Sequence, residues 1–520
     1  MLIVVIHLAI ILGIAYGASY YVASRQIRRM IGPGFAGGYL ILALSGFYVP
    51  TAPIFFLCCI LVFVATVRDR LDAICRYFLF NLLLPGIDWR VLVHGAYLGT
   101  YSTDSALMIG AIIAFLVKPD RTRAKPVRGF SAEDMLVIVS MLIFWVGATR
   151  FPGATEVGRS LLMQAVTLIA PYLLFRRQVR TPEEWQLLLG CIAIGGVMLA
   201  ICAVAEARLG WPLFDIPRLK LSGGMPHLDA RGGTLRATVS MSGPLVLAIA
   251  LMIGLIAAVC ARSAFNSKLN WRGSMGVIFL GLLSCQSRGT TAALVPALVV
   301  LFITTRRFAN AVILVIVAVV GGTALYVLQN FSTKVAGFMG ASQHVGQYYD
   351  YRQLLLDRGL QEGMKHPWLG QSMDKVLDSL SDITQGQRIV DMVNTYLTIF
   401  MVSGIVGLVA FVALLMVVGR KMLAHARRGQ DLDAIRNGRA FLLSAMTGYL
   451  INIFSESFID RVPFMLMLML AGNRLIAASL VKSRKGQRGR PPPPARPAGW
   501  AVAAAPPAPP APARSLAPSA

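Results

Sequence analysis

Long apolar runs recur along most of the chain, and they constrain the fold more than any other feature. Many extend for about 17 to 25 residues with few charges, which is the length that a helix needs to cross a bilayer. Of the 520 residues, 56% are hydrophobic and only 14% are charged. Since a soluble core is not oily throughout, the sequence predicts an all-α, polytopic transmembrane bundle of about 12 to 15 helices.

Basic residues lie in the gaps between the apolar runs rather than on one surface. The formal net charge is +25, and Lys and Arg concentrate in alternate gaps such as residues 25–29, 118–128 and 176–180. This is the positive-inside pattern, which places those gaps in the cytoplasm and the remaining gaps outside. Topology therefore explains the charge, and we expect no nucleic-acid partner.

The gaps divide the chain into four regions. Residues 1–329 are predicted to form a transmembrane bundle with a smaller outer loop near 208–237. Residues 330–391 form a large outer loop, and residues 392–480 form C-terminal transmembrane helices. The low-complexity, proline-rich residues 481–520 predict a disordered cytoplasmic tail.

The large outer loop is predicted to contain two amphipathic helices. In the first, apolar residues recur three to four positions apart, as on one helix face; they are Tyr348, Tyr351, Leu355 and Leu356. In the second, one apolar stripe contains Met373, Val376, Leu377, Leu380 and Ile383. These helices either cap the bundle or roof a cavity at the outer leaflet.

Three arginines adjoin apolar runs on the predicted outer side. They are Arg236, Arg288 and Arg352. Cationic groups at membrane depth are costly and usually functional, and the guanidinium fork suits phosphate oxygens. Three together indicate a site for a polyanionic head group. The alternative for each is an arginine that reaches toward lipid phosphates.

Four short segments carry these residues in a fixed order. They are LRATVSMSGP at 235–244, SRG at 287–289, YDYRQLLLDRGLQEGMKHPWLGQS at 349–372 and VNTYLTIFMVSGIVG at 393–407. In this order, over roughly residues 130–475, the chain resembles the O-antigen ligase and O-antigen polymerase superfamily.

The resemblance implies a membrane glycosyltransferase of the bacterial inner membrane, with a periplasmic large loop and a cytoplasmic tail. Its substrate would be a polyprenyl-diphosphate-linked oligosaccharide. Ligases of this family usually have histidine where this chain has Val393, so the resemblance favours a polysaccharide polymerase that joins repeat units. The alternatives are an O-antigen ligase that transfers glycan to lipid A-core, and a lipid-linked saccharide transporter. The bilayer, a chain-length regulator and export proteins are candidate partners.

The resemblance also implies roles for individual residues. The three arginines would stabilise the charge that develops on the diphosphate leaving group, so neither a metal nor another cofactor is expected. The candidates for the general base are His366, His344, Asp350 and Asp391. Sugar-binding candidates are Tyr348, Tyr351, Trp368 and Asn394. The aromatic residues are alternatively interfacial anchors, and His366 alternatively belongs to a structural turn.

Overall fold

The computed structural model describes most of the chain outside its C-terminal tail. The described residues are 2–93, 96–121, 130–148, 154–222, 230–231, 234–328, 331–332, 344–383, 390, 392–426, 433–455 and 461–473. This part is almost entirely helical, which confirms the predicted fold class. The predicted tail, Asp391 and parts of the large loop lie outside the described residues.

The helices and strands are named in chain order. The first half comprises α1 (Leu2–Val22), α2 (Arg25–Met30), α3 (Pro33–Tyr48), α4 (Ala52–Thr66), α5 (Arg70–Leu83), β1 (Asp88–Val93), β2 (Ala96–Ser102), α6 (Thr103–Val117), α7 (Ala132–Ala148), α8 (Ala154–Gln164), α9 (Ala170–Gln178), α10 (Pro182–Leu209) and α11 (Asp215–Ser222). A π-helical turn, Ala165–Ile169, joins α8 to α9.

The second half contains the two helices of the large loop. It comprises β3 (Ala230–Arg231), β4 (Thr234–Leu235), α12 (Pro244–Cys260), α13 (Lys268–Ser284), α14 (Arg288–Thr304), α15 (Phe308–Leu328), α16 (His344–Lys365), α17 (Met373–Ser379), α18 (Thr395–Ala426), α19 (Asp433–Asn452) and α20 (Val462–Asn473).

Among the residues that the structure describes, five helical segments are long and apolar enough to cross a bilayer. They are Leu2–Val22, Val157–Gln178, Pro182–Leu209, Phe308–Leu328 and Thr395–Leu423. Several shorter apolar helices, among them α4, α6, α12, α14 and α20, accompany them. The chain is therefore a polytopic helical membrane protein.

The centre of the bundle is α10, which contacts α1, α5, α12, α13 and α19. Its glycines allow a close approach of the backbones. A Cβ added to Gly196 would lie 3.2 Å from the Cα of Gly254 in α12. Small residues at such crossings let membrane helices gain van der Waals contact that larger side chains would prevent.

Basic residues from distant parts of the chain meet at one end of the bundle, here called the basic end. Arg70 and Arg180 both contact the carboxylate of Asp120, at 3.8 and 2.7 Å. Arg176 contacts Asp134 at 3.1 Å. From this end α10 extends for about 40 Å at 1.5 Å per residue, which is enough to cross a bilayer.

A β-hairpin interrupts the helices between α5 and α6. The sequence predicts apolar spans near residues 72–88 and 100–117 and, from the break in LLLPGIDW, either broken helices or a re-entrant pair, so the hairpin was not predicted. Pro85 and Gly86 follow α5 and disfavour its continuation. The strands then pair antiparallel, with Trp89 opposite Tyr101, and such aromatic residues favour strands. The predicted loop near 208–237 likewise contains α11 and the short β3–β4 hairpin.

A buried ion pair ties the hairpin region to the C-terminal helices. The Arg461 side chain is fully buried and donates to the Asp104 carboxylate at 2.9 Å. It also donates to the carbonyl oxygens of Leu84, at 3.0 Å, and Ser240, at 3.3 Å. The Arg461 guanidinium therefore joins its own segment to three others, which contain Leu84, Asp104 and Ser240. The segment with Ser240 is the one that begins at Arg236.

We predict that Arg461→Met destabilises the fold by about 3 to 5 kcal/mol, because it leaves the partners of a buried ion pair without their cation. Arg358→Met is the matched control, since Arg358 and Asp382 form an exposed pair at 3.2 Å and such pairs contribute about 0 to 1 kcal/mol. Equilibrium unfolding in mixed micelles measures both. Equal losses would show that the Arg461 contacts do not stabilise the protein.

Candidate functional site

The turn between α13 and α14 places Arg288 at the start of a helix. Gln286 has φ +49°, a left-handed conformation that reverses the chain within two residues. Ser287 is the N-cap of α14, and its hydroxyl oxygen accepts from the backbone N–H of Thr290 at 3.4 Å. Arg288 is thus the first residue of α14, at the positive end of the helix dipole.

Arg236 lies against this turn. Its side chain is buried, and its Nε donates to the carbonyl oxygen of Cys285 at 3.2 Å. The backbone N–H of Ala237 donates to the carbonyl oxygen of Ser284 at 3.2 Å. The segment that begins at Arg236 is therefore bound to the residues that directly precede the SRG segment.

Buried polar residues fix the segment that follows Arg236. The Glu206 carboxylate accepts from the backbone N–H groups of Thr238, at 3.0 Å, and Val239, at 2.9 Å. Arg218 donates to the Val239 carbonyl oxygen at 3.0 Å. Val239 has φ +48°, a conformation that a β-branched residue adopts only when its surroundings impose it. Sequence reasoning had not identified Glu206 or Arg218.

The C-terminal end of α19 supports the other side of the turn. Thr290 donates to the Asn452 side-chain oxygen at 2.7 Å. A Cβ added to Gly289 would lie 3.4 Å from the Ser455 hydroxyl oxygen. These contacts were also missed, although an asparagine at the end of an apolar helix was a signal that could have indicated a buried polar partner.

Arg352 of α16 completes the cluster. Its side chain is exposed, and Arg288 has Coulombic interactions with both Arg236 and Arg352. The structure therefore places Arg236 and Arg352 near Arg288, although the three residues are far apart in sequence. We call Arg236, Arg288 and Arg352 the arginine cluster. Gathering like charges raises the local positive potential, which attracts anions.

The other residues of α16 are placed less uniformly. The backbones of His344, Tyr348 and Asp350 belong to its first two turns, and their side chains lie outside the described residues. Tyr351 is buried rather than presented to solvent. Leu356 is 38% exposed, so the prediction that it shares the packed face was wrong; it lies five positions after Tyr351, which rotates it away from that face.

A small separate core joins the large loop to α18, here called the loop core. Its buried members are Tyr351, Leu355, Val376, Leu380, Ile383, Met392, Val393, Leu397, Phe400, Met401 and Val402. Met373 and Leu377 pack against it, so the five apolar residues of the predicted stripe do pack on the loop core. The helix itself is shorter than predicted, because it ends at Ser379, before Leu380 and Ile383.

Asn394 stabilises the start of α18. Its side-chain oxygen accepts from the backbone N–H groups of Tyr396 and Leu397, at 3.0 and 3.2 Å. This is the geometry of a helix cap. The contacts give Asn394 a structural part in the protein, whatever it does toward a sugar.

The turn at residues 366–370 binds to a break in α18. Gly404, inside this helix, has φ 64° and ψ −165°, which interrupts the helical hydrogen bonds. The carbonyl oxygens of Pro367 and Trp368 accept from the N–H groups of Ile405, at 2.7 Å, and Val406, at 3.2 Å. The turn thus supplies acceptors to the N–H groups beyond the break.

His366 and Trp368 lie on the outer surface of this turn. The imidazole is exposed, and the indole is 69% exposed. His366 directly follows α16, so it lies about 20 Å from Arg352 along the helix axis at 1.5 Å per residue. The two residues therefore belong to opposite ends of α16.

All seven cysteines are free. Within the residues that the structure places, no group of three or more His, Cys, Asp or Glu side chains is arranged to hold a metal ion.

Residues 273–412 match the family model described as O-antigen ligase. The match covers 140 of the 520 residues and shows that this region is similar to the O-antigen ligase-like superfamily. The matched region contains Arg288, Arg352 and the bound turn at the α18 break, whereas Arg236 precedes it. No curated protein matches the chain.

We predict that Gly404→Ala destabilises this O-antigen ligase-like region by at least about 2 kcal/mol, because only glycine tolerates that backbone conformation without strain. A Cβ there would also collide with the carbonyl oxygen of Trp368. Gly419→Ala in the same helix is the control: its Cβ meets no atom within 4 Å, and alanine favours a helix. Thermal unfolding in detergent compares the two variants, and equal stability would contradict the proposed strain.

Proposed function

We propose that the protein is a polysaccharide polymerase that joins polyprenyl-diphosphate-linked oligosaccharide repeat units on the outer side of the bacterial inner membrane. The observation that carries this proposal is the arginine cluster. Two guanidinium groups on the bundle and one on a loop helix converge beside the N-terminus of α14. Helix N-termini and arginines both favour phosphate oxygens.

The cluster suits a reaction in which a diphosphate leaves. A hydroxyl oxygen of the acceptor repeat unit would form a bond to the anomeric carbon of the donor. The bond from that carbon to the phosphate oxygen would break, and its electron pair would stay on the polyprenyl diphosphate. Fixed cations stabilise this added negative charge most strongly in the transition state.

The proton of the attacking hydroxyl needs an acceptor within hydrogen-bond reach. The position of His366, about 20 Å from Arg352 along α16, argues against this residue as the base. His344 and Asp350 belong to the same helix within about 12 Å of Arg352 along the axis. We therefore propose these two residues, rather than His366, as the base candidates.

Orientation in the membrane follows from the two ends of the bundle. We propose that the basic end, where Arg70, Arg176 and Arg180 gather, faces the cytoplasm, because positively charged loops are retained there. The arginine cluster would then face the periplasm together with the large loop. The C-terminal tail would be cytoplasmic, and a chain-length regulator or export proteins would meet the polymerase at the periplasmic face.

Val393 favours a polymerase over a ligase. Ligases of the family usually have histidine at this position, whereas here Val393 is buried in the loop core. A buried valine neither donates nor accepts a proton. Transfer of glycan to lipid A-core is the second candidate, and its support is the description of the matched family.

We predict that Arg288→Ala and Arg352→Ala each lower polymer formation by about 100-fold or more, as expected when a group that stabilises transition-state charge is removed. The measurement is the size distribution of polysaccharide and lipid-linked precursor in a deletion strain complemented with each variant at equal protein level. Arg358→Ala is the matched control, since it lies on the same helix and pairs with Asp382; it should restore long polymer.

The same measurement separates the alternatives. Single repeat units that accumulate on the carrier support a polymerase. Long polymer that stays on its carrier and does not reach lipid A-core indicates a ligase. Precursor trapped on the cytoplasmic side indicates a transporter and would overturn the enzymatic proposal.

Binding gives an independent prediction. Purified protein in detergent should bind farnesyl diphosphate, and Arg288→Ala should weaken this binding by about 10-fold or more, because a hydrogen bond to a charged group contributes about 1.5 to 3 kcal/mol. Arg288→Lys should lose less, since it keeps the charge without the fork. Isothermal titration compares them with Arg358→Ala. Equal affinity of Arg288→Ala and the control would contradict a phosphate site at Arg288.

A further inference from the structure

One face of α16 is apolar and exposed. Leu356, Leu360 and Met364 follow one another at intervals of four and are 38%, 45% and 65% exposed. Residues four apart lie along one line of a helix, so these side chains form a continuous stripe, here called the α16 stripe. Another face of the same helix packs on α18 through Tyr351 and Leu355 of the loop core.

Two glycines bring the packed face close to α18. A Cβ added to Gly359 would lie 2.8 Å from the Leu397 side chain, and one added to Gly363 would lie 2.7 Å from the Cδ1 atom of the Phe400 ring. The helix is therefore held firmly on its loop-core side. The α16 stripe borders this contact, and its three side chains remain exposed, so the packing that fixes α16 does not cover the stripe.

The stripe continues into the turn that follows α16. Trp368 and Leu369 are 69% and 58% exposed. The carbonyl oxygens of Pro367 and Trp368 bind the N–H groups of Ile405 and Val406, which places the turn directly on α18. The exposed apolar surface of the loop thus reaches a helix that is long enough to cross the membrane.

The adjoining part of α18 has the features of a lipid-facing surface. Its exposed side chains are Ile405, Val406, Val409, Val412 and Met416. From Ile405 to Leu423 the helix extends for about 28 Å at 1.5 Å per residue, close to the roughly 30 Å hydrocarbon thickness of a bilayer. The break at Gly404 therefore falls at the membrane surface, where tryptophan such as Trp368 is favoured.

We infer that α16 lies in the outer-leaflet interface, with Leu356, Leu360 and Met364 among the lipid acyl chains. The occupant of the stripe is the bilayer, because the stripe is continuous with the lipid-facing side of α18. Amphipathic helices bind membranes in this manner, with the apolar face buried at the boundary between head groups and chains.

The position of Arg352 gives this placement a consequence. Arg352 lies one helical turn before Leu356, so its guanidinium is at the level of the lipid head groups. A lipid carrier would bring its diphosphate to Arg352 from the side, within the plane of the membrane. This consequence rests on the proposed function, whereas the lipid contact of α16 does not.

The test uses the full chain in nanodiscs of phosphatidylethanolamine and phosphatidylglycerol, with a single spin label. Cys58 is the half-buried cysteine and the other six are buried, so Cys58→Ser supplies the background. Leu360→Cys places the label in the stripe, and Gln361→Cys, also exposed, places it on the neighbouring side as the matched control. Power saturation measures the accessibility of each label to oxygen and to a water-soluble nickel chelate.

The label at position 360 should show an oxygen-to-nickel accessibility ratio several-fold greater than the label at position 361. Met364→Cys repeats the reading should Leu360→Cys fail to fold. Equal nickel accessibility at 360 and 361 would overturn the inference, because the stripe would then face water. Protection of position 360 from both reagents would also overturn it, because protein would then cover the stripe. Neither reading depends on polymer formation, so failure of the proposed function would leave this result unchanged.

Discussion

A bilayer offers no hydrogen-bond partners to a broken helix, and this constraint fixes the large loop on the bundle. The break at Gly404 leaves N–H groups of α18 without helical acceptors at the point where this helix enters the membrane. The turn at residues 366–370 supplies two carbonyl oxygens to them, and Gln371 donates to the Met401 carbonyl oxygen at 2.9 Å. Because α16 ends directly at this turn, the same bonds determine where Arg352 lies.

The arginine cluster persists because its members are anchored by groups other than each other. Mutual repulsion would drive three mobile cations apart. Arg236 is instead bound to the Cys285 carbonyl oxygen, and the segment after it is held by Glu206 and Arg218. A positive site that is assembled before its ligand arrives loses little free energy to reorganisation when the ligand binds.

Hydropathy and local motifs predicted the helical bundle and the three arginines, since both signals are contained in short windows of sequence. The β-hairpin was missed because Pro85 and Gly86 mark the end of an apolar run without indicating which structure follows it. The Arg461–Asp104 pair and the contacts of Glu206 join residues hundreds or tens of positions apart, and one sequence carries no signal for such pairing. Leu356 was assigned to the wrong face because it was grouped with residues that are three and four positions apart, although it lies five positions after Tyr351.

The buried contacts that hold the arginine cluster in place also bear on whether the protein is an enzyme or a transporter. Alternating access needs a site near the midplane whose walls rock from one side to the other. Here Arg461, fully buried, joins the Ser240 and Leu84 carbonyl oxygens to Asp104, so the segment that begins at Arg236 is tied to three other parts of the bundle. Rocking would have to break these buried bonds without water to replace them. A fixed cluster at one end of the bundle is instead the arrangement that electrostatic catalysis requires, because its dipoles and charges act only while they stay in place.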